Sequence, residues 1–363
     1  MKKILIFSLL FITMGCFGNK SEEDKKPKEN DNENTVINDV VEEESGSVVI
    51  RFGGDIMMAL ELGSIIASRG IDHPWVDVAP LFQSADLSIL NLETAVSTRG
   101  ERTKRQEVSF RSHPDTLQGL VNAGVNMVSL ANNHVLDYGP DAFLDTIKYL
   151  DEHGIKHLGA GRSLDEASAI LYQSINGIDL AFIAATSIFI SDNWKATENN
   201  MGIFPLRETY YELLFSRIRE AEENSDYVIL LLHWGEEHRY FPETHQEELA
   251  RKLIDNGADI IIGTHSHSLH GIEYYNDGII FYSTGNFMFL VYNENARKSA
   301  VFELTLSKNE IVSSRIYPIY IQGGRANLNQ VNSPRYLDVI NIMNERSLRF
   351  GTRIESNGYI SRI

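Results

Sequence analysis

Five short apolar runs in this 363-residue chain each lead into side chains able to ligate a metal. Val48-Val49-Ile50-Arg51-Phe52 runs into Gly53-Gly54-Asp55, and Asp86-Leu87-Ser88-Ile89-Leu90 into Asn91-Leu92-Glu93. Val125 to Leu130 leads into Ala131-Asn132-Asn133-His134, Tyr227 to Leu232 into His233-Trp234-Gly235, and Asp259 to Ile262 into Gly263-Thr264-His265-Ser266-His267. Short apolar runs bounded by turn residues read as buried strands. Open α/β sheets carry their sites beyond the carboxyl ends of such strands. If the five strands share a sheet, Asp55, Glu93, Asn133, His134, His233, His265 and His267 meet in one place.

Helices separate these strands. Pro114 to Ala123 carries Leu117, Leu120 and Val121 at helical spacing and stops at Gly124. Amphipathic stretches from Pro140 to His153, Glu208 to Asn224 and Glu243 to Asn256 read the same way, with a late helix from Leu337 to Leu348. Two apolar runs, Ala169 to Ile175 and Ile178 to Ala184, flank Asn176-Gly177, a strong hairpin signal. Further hairpins are predicted around Asn276-Asp277-Gly278 and Ser307-Lys308-Asn309. Strands alternating with helices imply a parallel-type sheet. The hairpins imply a second, mixed or antiparallel sheet. An α/β sandwich of two sheets flanked by helices accommodates both.

The residue types at the strand ends suit a metal. Imidazole and carboxylate together fit Zn, Mn or Fe(II). The single cysteine, Cys16, excludes a thiolate-built structural zinc site. Mixed histidine and carboxylate ligation with an open position is the usual catalytic arrangement. Each residue also has a structural reading. Asp55 could cap a helix, Glu93 could pair with an arginine, His233 could be a satisfied core histidine, and Asn133 with His134 could hold a turn. Convergence of all five clusters favours one shared site.

Composition narrows the partners. A formal charge of −17 argues against nucleic acid, which rewards clustered Lys and Arg. Part of that charge lies between Lys20 and Gly46, where four lysines face ten acidic residues and no aromatic residue occurs. Such a segment cannot bury enough apolar surface to order itself, so 17–46 reads as an acidic, disordered tether. Before it, Met1-Lys2-Lys3 and a nearly unbroken apolar run from Ile4 to Ile12 precede Thr13-Met14-Gly15-Cys16. That is a signal peptide over 1–16, too short to span a bilayer. It resembles a bacterial lipobox, although Thr13 stands where Leu is usual. The resemblance implies lipidation of Cys16 and a lipid-anchored, extracytoplasmic place in the cell envelope.

A longer resemblance runs through the folded part. Gly54-Asp55-Ile56-Met57, Asn91-Leu92-Glu93, Ala131-Asn132-Asn133-His134 with Asp137 and Gly139, His233-Trp234-Gly235 with Glu237 and Gln246, Gly263-x-His265-x-His267 and Gly285-Asn286-Phe287 occur in that order. The series resembles the capsule-synthesis CapA family over Val48 to Phe289. That family is similar in fold to calcineurin-like metallophosphoesterases. The resemblance implies a four-layer αββα sandwich with two mixed sheets over 47–325, and a C-terminal helix and tail over 326–363 packed on it. It implies a role in synthesis or export of an anionic surface polymer, typically poly-γ-glutamate, with the capsule machinery as partner. One or two divalent ions would be held by Asp55, Glu93, Asn133, His233, His265 and His267, with His134 protonating a leaving group. Met57 departs from the Asp-x-His of the phosphoesterases.

A basic patch, Arg99, Arg102, Lys104, Arg105 and Arg111, lies between the Glu93 and Asn133 clusters. It reads either as a solvated loop or as an anion-recognition surface. Phe110-Arg111 resembles a family position, and its guanidinium could grip a carboxylate of the substrate bidentately. Two functions fit all of this. One is a metal-dependent hydrolase of phosphoester or amide bonds. The other is a non-catalytic, metal-containing module that binds and exports the polymer.

Overall fold

β1 (Val48–Ile56) buries Val48, Ile50 and Phe52 on one face. It carries Arg51 on the other, ion-paired at 2.6 Å with Glu303 of the neighbouring strand. The run does not stop at Gly53. It continues through Gly54 and Asp55 because the chain after Gly285 lies against it. A Cβ on Gly54 would sit 1.7 Å from the Gly285 carbonyl oxygen, so only glycine permits that approach. The computed structural model describes residues 46–103, 108–291 and 293–363. Cys16, the signal segment, the tether as far as Ser45, Lys104 and Arg105 lie outside the described residues.

After β1 come α1 (Leu60–Arg69), α2 (Ala79–Gln83), β2 (Leu87–Leu92), α3 (Thr116–Ala123), β3 (Met127–Ser129), α4 (Gly139–Glu152) and β4 (Lys156–Leu158). The second half runs β5 (Leu171–Ile175), β6 (Ile178–Thr186), α5 (Tyr211–Asn224), β7 (Tyr227–His233), α6 (Thr244–Asp255) and β8 (Ile260–Thr264). It continues with β9 (Ile272–Tyr275), β10 (Gly278–Phe281), β11 (Asn286–Met288), β12 (Lys298–Leu306), β13 (Ile311–Gln322), β14 (Arg325–Leu328) and α7 (Pro334–Leu348). Local signals set several boundaries. Gly124 ends α3 in the left-handed region, its N–H donating to the Leu120 and Val121 carbonyls. Glu243 and Gln246 form a capping box on α6. Asn176 and Gly177 both have positive φ, as a type I′ hairpin between β5 and β6 requires.

Two mixed sheets result. The first has eight strands in the order β14-β13-β12-β1-β2-β3-β4, with β11 also paired to β1. The second has six, in the order β9-β10-β8-β7-β6-β5. The hairpins do not build a sheet of their own. β6 joins the parallel run β6-β7-β8-β10, leaving β5 as an antiparallel edge, while the β12–β13 hairpin docks antiparallel on the free side of β1.

Three apolar layers hold four layers of structure together. Ile50, Phe52, Ile89 and Phe302 of the first sheet meet Phe182, Ile229, Ile262 and Phe281 of the second. Outside the first sheet, Leu62, Ile66, Phe82, Leu120, Phe143 and Ile147 cover Leu90, Leu92 and Val128. Outside the second, Leu214, Ile218, Leu253 and Ile254 cover Leu230, Ile261 and Ile280. The arrangement is a helix–sheet–sheet–helix sandwich. From α7, Tyr336, Val339, Ile340 and Met343 enter the layer between the sheets. No described helix is long and apolar enough to cross a membrane.

Candidate metal centre

The strand-end clusters meet, but their strands do not share one sheet. β1, β2 and β3 belong to the first sheet, β7 and β8 to the second. The parallel strands of both sheets present their carboxyl ends at the same edge, and the site straddles the gap. Asn91 Nδ2 spans it, donating to Asp55 Oδ1 at 2.8 Å and lying 3.3 Å from His233 Nδ1.

Asp55 is fully buried at the end of β1, in register with Asn91 and Asn286. Its other oxygen, Oδ2, accepts the His265 N–H at 3.3 Å and lies 3.4 Å from His267 Nδ1. It therefore caps no helix; α1 starts at Leu60. Glu93 follows β2 and is also 0% exposed. Among the described residues, no arginine pairs with it and no donor hydrogen-bonds either carboxylate oxygen. His233 Nε2 and His134 Nε2 stand 3.7 and 3.8 Å from Oε1. Burial, then the adjacent Asp55, push the Glu93 pKa well above the carboxylate range. A buried carboxylate without donors, beside a second carboxylate, is a site that a cation would neutralise.

The histidines are prepared to ligate. Thr264 Oγ1 lies 2.9 Å from His233 Nδ1, and Asn133 Oδ1 lies 2.7 Å from its Nε2. Burial first, then the neighbouring imidazoles, lower the His233 pKa strongly and hold His265 at about 3. Both rings are therefore neutral, the form that binds metals. His265 Nδ1 is buried and has no hydrogen-bond partner among the described residues. Burial works to lower the His267 pKa, but the Asp55 carboxylate outweighs it and raises it. His265 and His267 both hold left-handed φ, 89° and 55°, an uncommon conformation for non-glycine residues that turns both rings toward the cluster.

Three sets of donor atoms lie within 4.8 Å of one another: Glu93–His233–His265, Asp55–Glu93–His267, and Glu237–His265–His267. These donors fit a divalent ion. His134 belongs to none of the three sets. Its Nδ1 lies 2.7 Å from Asp137 Oδ2, which also accepts the Phe110 N–H at 2.6 Å. The Phe110 ring packs on the imidazole, with centroids 4.2 Å apart. Beside the cluster is a cleft of about 380 Å³ lined by His238, His267, Asn286, Phe289, Leu290 and Asn293, among others.

The described members of the basic patch make contacts within the chain. Arg99 pairs with Asp145, and Arg102 donates to Ser109 Oγ. Arg111 stacks over the Tyr138 ring at 4.2 Å and donates to the carbonyls of Arg99 and Gly100. Sequence reasoning gave no role to Asn91, Asp137, Thr264, Glu237 or Asn286. Asn91 was detectable two residues before Glu93 on the same strand face, and Asp137 three residues after His134. Thr264 carried no pattern of its own, and Glu237, though part of the motif after His233, carried no sign of a ligand role.

A family model described as bacterial capsule synthesis protein PGA_cap matches residues 49–290. The chain is 31% identical over 288 residues to a capsule biosynthesis protein CapA of Bacillus anthracis, covering 77% of this chain and 69% of that protein. It is 33% identical over 272 residues to a PGA biosynthesis protein CapA of Bacillus subtilis, covering 74% and 70%. Among solved structures, a hypothetical protein from Thermus thermophilus aligns with a TM-score of 0.46 and 17% identity, over 76% of this chain and 100% of that one. The NAD nucleotidase of Haemophilus influenzae aligns with a TM-score of 0.40 and 11% identity, over 82% and 56%. All the donors of the cluster, from Asp55 to His267, fall inside the matched span, and the chain belongs to the bacterial capsule synthesis protein family PGA_cap.

Proposed function

We propose that this chain is an accessory protein of capsule poly-γ-glutamate synthesis, acting at the cell envelope as a metal-dependent hydrolase of a phosphoester or amide bond. The capsule role is supported by the names of its relatives in Bacillus. The metal is supported by one observation above the others: Glu93, buried without a hydrogen-bond donor, stands among Asp55, His233 and His265. Asp55, Glu93 and His267 would hold one ion, and Glu93, Asn133, His233 and His265 another. Glu93 is common to both sets. Zn, Mn or Fe(II) would supply Lewis acidity there.

The chain's own groups divide the remaining work. Asp137 fixes His134 through Nδ1 and leaves Nε2 facing the cluster. An imidazole so placed can give a proton to a departing oxygen or nitrogen. A module that only held metal would have no need of that pair, which favours catalysis over binding alone. The metal-loaded protein should hydrolyse either aryl phosphates or γ-glutamyl amides. Turnover of neither class at full metal occupancy would replace the hydrolase with the polymer-binding module.

The envelope location rests on the apolar run from Ile4 to Ile12 and the Gly15-Cys16 that follows it. Cells fed a labelled fatty acid should mark the wild type, and Cys16→Ser should abolish the label and release the protein from the membrane fraction. Absence of label from the wild type would rule out the lipid anchor.

A further inference from the structure

The two halves of the cluster are unequally furnished. Around His233 there are four donors: Glu93, His233 and His265 within 4.8 Å, and Asn133 Oδ1 at 2.7 Å from His233 Nε2. Around Asp55 there are three: Asp55, Glu93 and His267. The side chain two residues beyond Asp55 adds none. Met57 is buried with Ala59 and Phe110 in a small apolar group, and its sulfur accepts the Ala59 N–H at 3.2 Å. A thioether is in any case a poor ligand for the harder divalent ions.

Glu237 meets one histidine of each half, His265 and His267, from the solvent side. It lies exposed on the loop that leaves β7, and its carboxylate forms a three-donor set with His265 and His267. That loop is held over the histidines. Gly235 and His238 turn it with φ of 91° and 64°, and the His238 N–H donates to the Ser266 carbonyl at 2.8 Å. The adjacent Arg239 pairs with Glu236 at 2.8 Å. His265 Nδ1, nine-tenths buried and without a partner among the described residues, belongs to a residue of that set.

We propose that Glu237 is a metal ligand, supplied by the mouth loop to the half of the site that Asp55, Glu93 and His267 furnish with only three donors. This rests on the metal reading above. Its role is to retain the ion nearest His267, the one with the sparser protein shell.

Titration of the full chain with Mn²⁺ or Zn²⁺ by calorimetry, paired with Mn²⁺ electron paramagnetic resonance, tests it. The wild type should take up two ions. Glu237→Gln keeps size and removes the ligand charge at an exposed position, so circular dichroism should be unchanged. It should weaken one ion by about tenfold or more and leave the other alone. Glu236→Gln removes the same charge one residue away and should change neither affinity. Wild-type affinity for every ion in Glu237→Gln would overturn the proposal, and so would an equal loss in both variants, which would mean a general field effect. Failure of the wild type to bind any ion would instead overturn the metal reading itself.

Discussion

Protein carrying His265→Ala together with His267→Ala should purify without transition metal, where the wild type retains it. Each donor set loses at least one member: Glu93–His233–His265 loses one imidazole, Asp55–Glu93–His267 loses one, and Glu237–His265–His267 loses both. Removing even a supporting contact commonly costs about 10- to 100-fold in metal affinity. Loss of two direct ligands should exceed about a hundredfold. Elemental analysis after dialysis against Mn, Zn or Fe(II) reads this out. A second readout is stability. Metal at a hundredfold excess over Kd should stabilise the wild type by about 2.7 kcal/mol, and the double variant by close to nothing. The apo fold itself should survive, because a proton can take the ion's place on Glu93, whose pKa burial and Asp55 already raise. A double variant that keeps wild-type metal would put the ion elsewhere. A wild type that binds none of the three would remove the site altogether.

How far these residues could be read from sequence depends on how local their signals are. The strand-end clusters were legible because an apolar run and the polar turn after it are neighbours in the chain. So was the Asn176-Gly177 hairpin, where the two residue types themselves demand positive φ. The continuation of β1 through Gly53-Gly54 was not legible. Two glycines read as a strand end, and only the approach of Gly285, far along the chain, shows why they lie inside one. The division of the five strands between two sheets was equally hidden, since pairing partners are set by tertiary packing. Asp86–Leu90 and Asp259–Ile262 look alike in sequence yet lie in different sheets. The place of Glu237 beside the histidines was hidden for a third reason, although the residue belongs to the motif that follows His233. It stands on an irregular loop, and its position follows from the backbone turn at Gly235 and His238 rather than from any period.

His134→Ala should keep most of the metal and lose activity by roughly two orders of magnitude or more, the usual scale for a lost general acid. His134 belongs to none of the three donor sets, so each set keeps all its members when the imidazole is removed. Its Nδ1 is occupied by Asp137 at 2.7 Å, and Phe110 packs against the ring, so Nε2 faces the cluster in a fixed direction. Asn133→Ala should behave differently. Its Oδ1 sits 2.7 Å from His233 Nε2, on the ligand side of that ring, and its loss should weaken metal retention and turnover together. Asp137→Asn should resemble a mild His134→Ala, because an amide holds the imidazole less firmly than a carboxylate. The chemistry of the leaving group provides the discriminating arm. A p-nitrophenolate departs without protonation, so p-nitrophenyl phosphate should recover much of the activity that His134→Ala loses on an alkyl phosphate. With an amide substrate no such recovery is available, because an amine must be protonated to leave. Metal loss in His134→Ala as complete as in the His265 and His267 double variant would make His134 a ligand. An equal loss of rate on good and poor leaving groups, at full occupancy, would leave it positioning substrate rather than donating a proton.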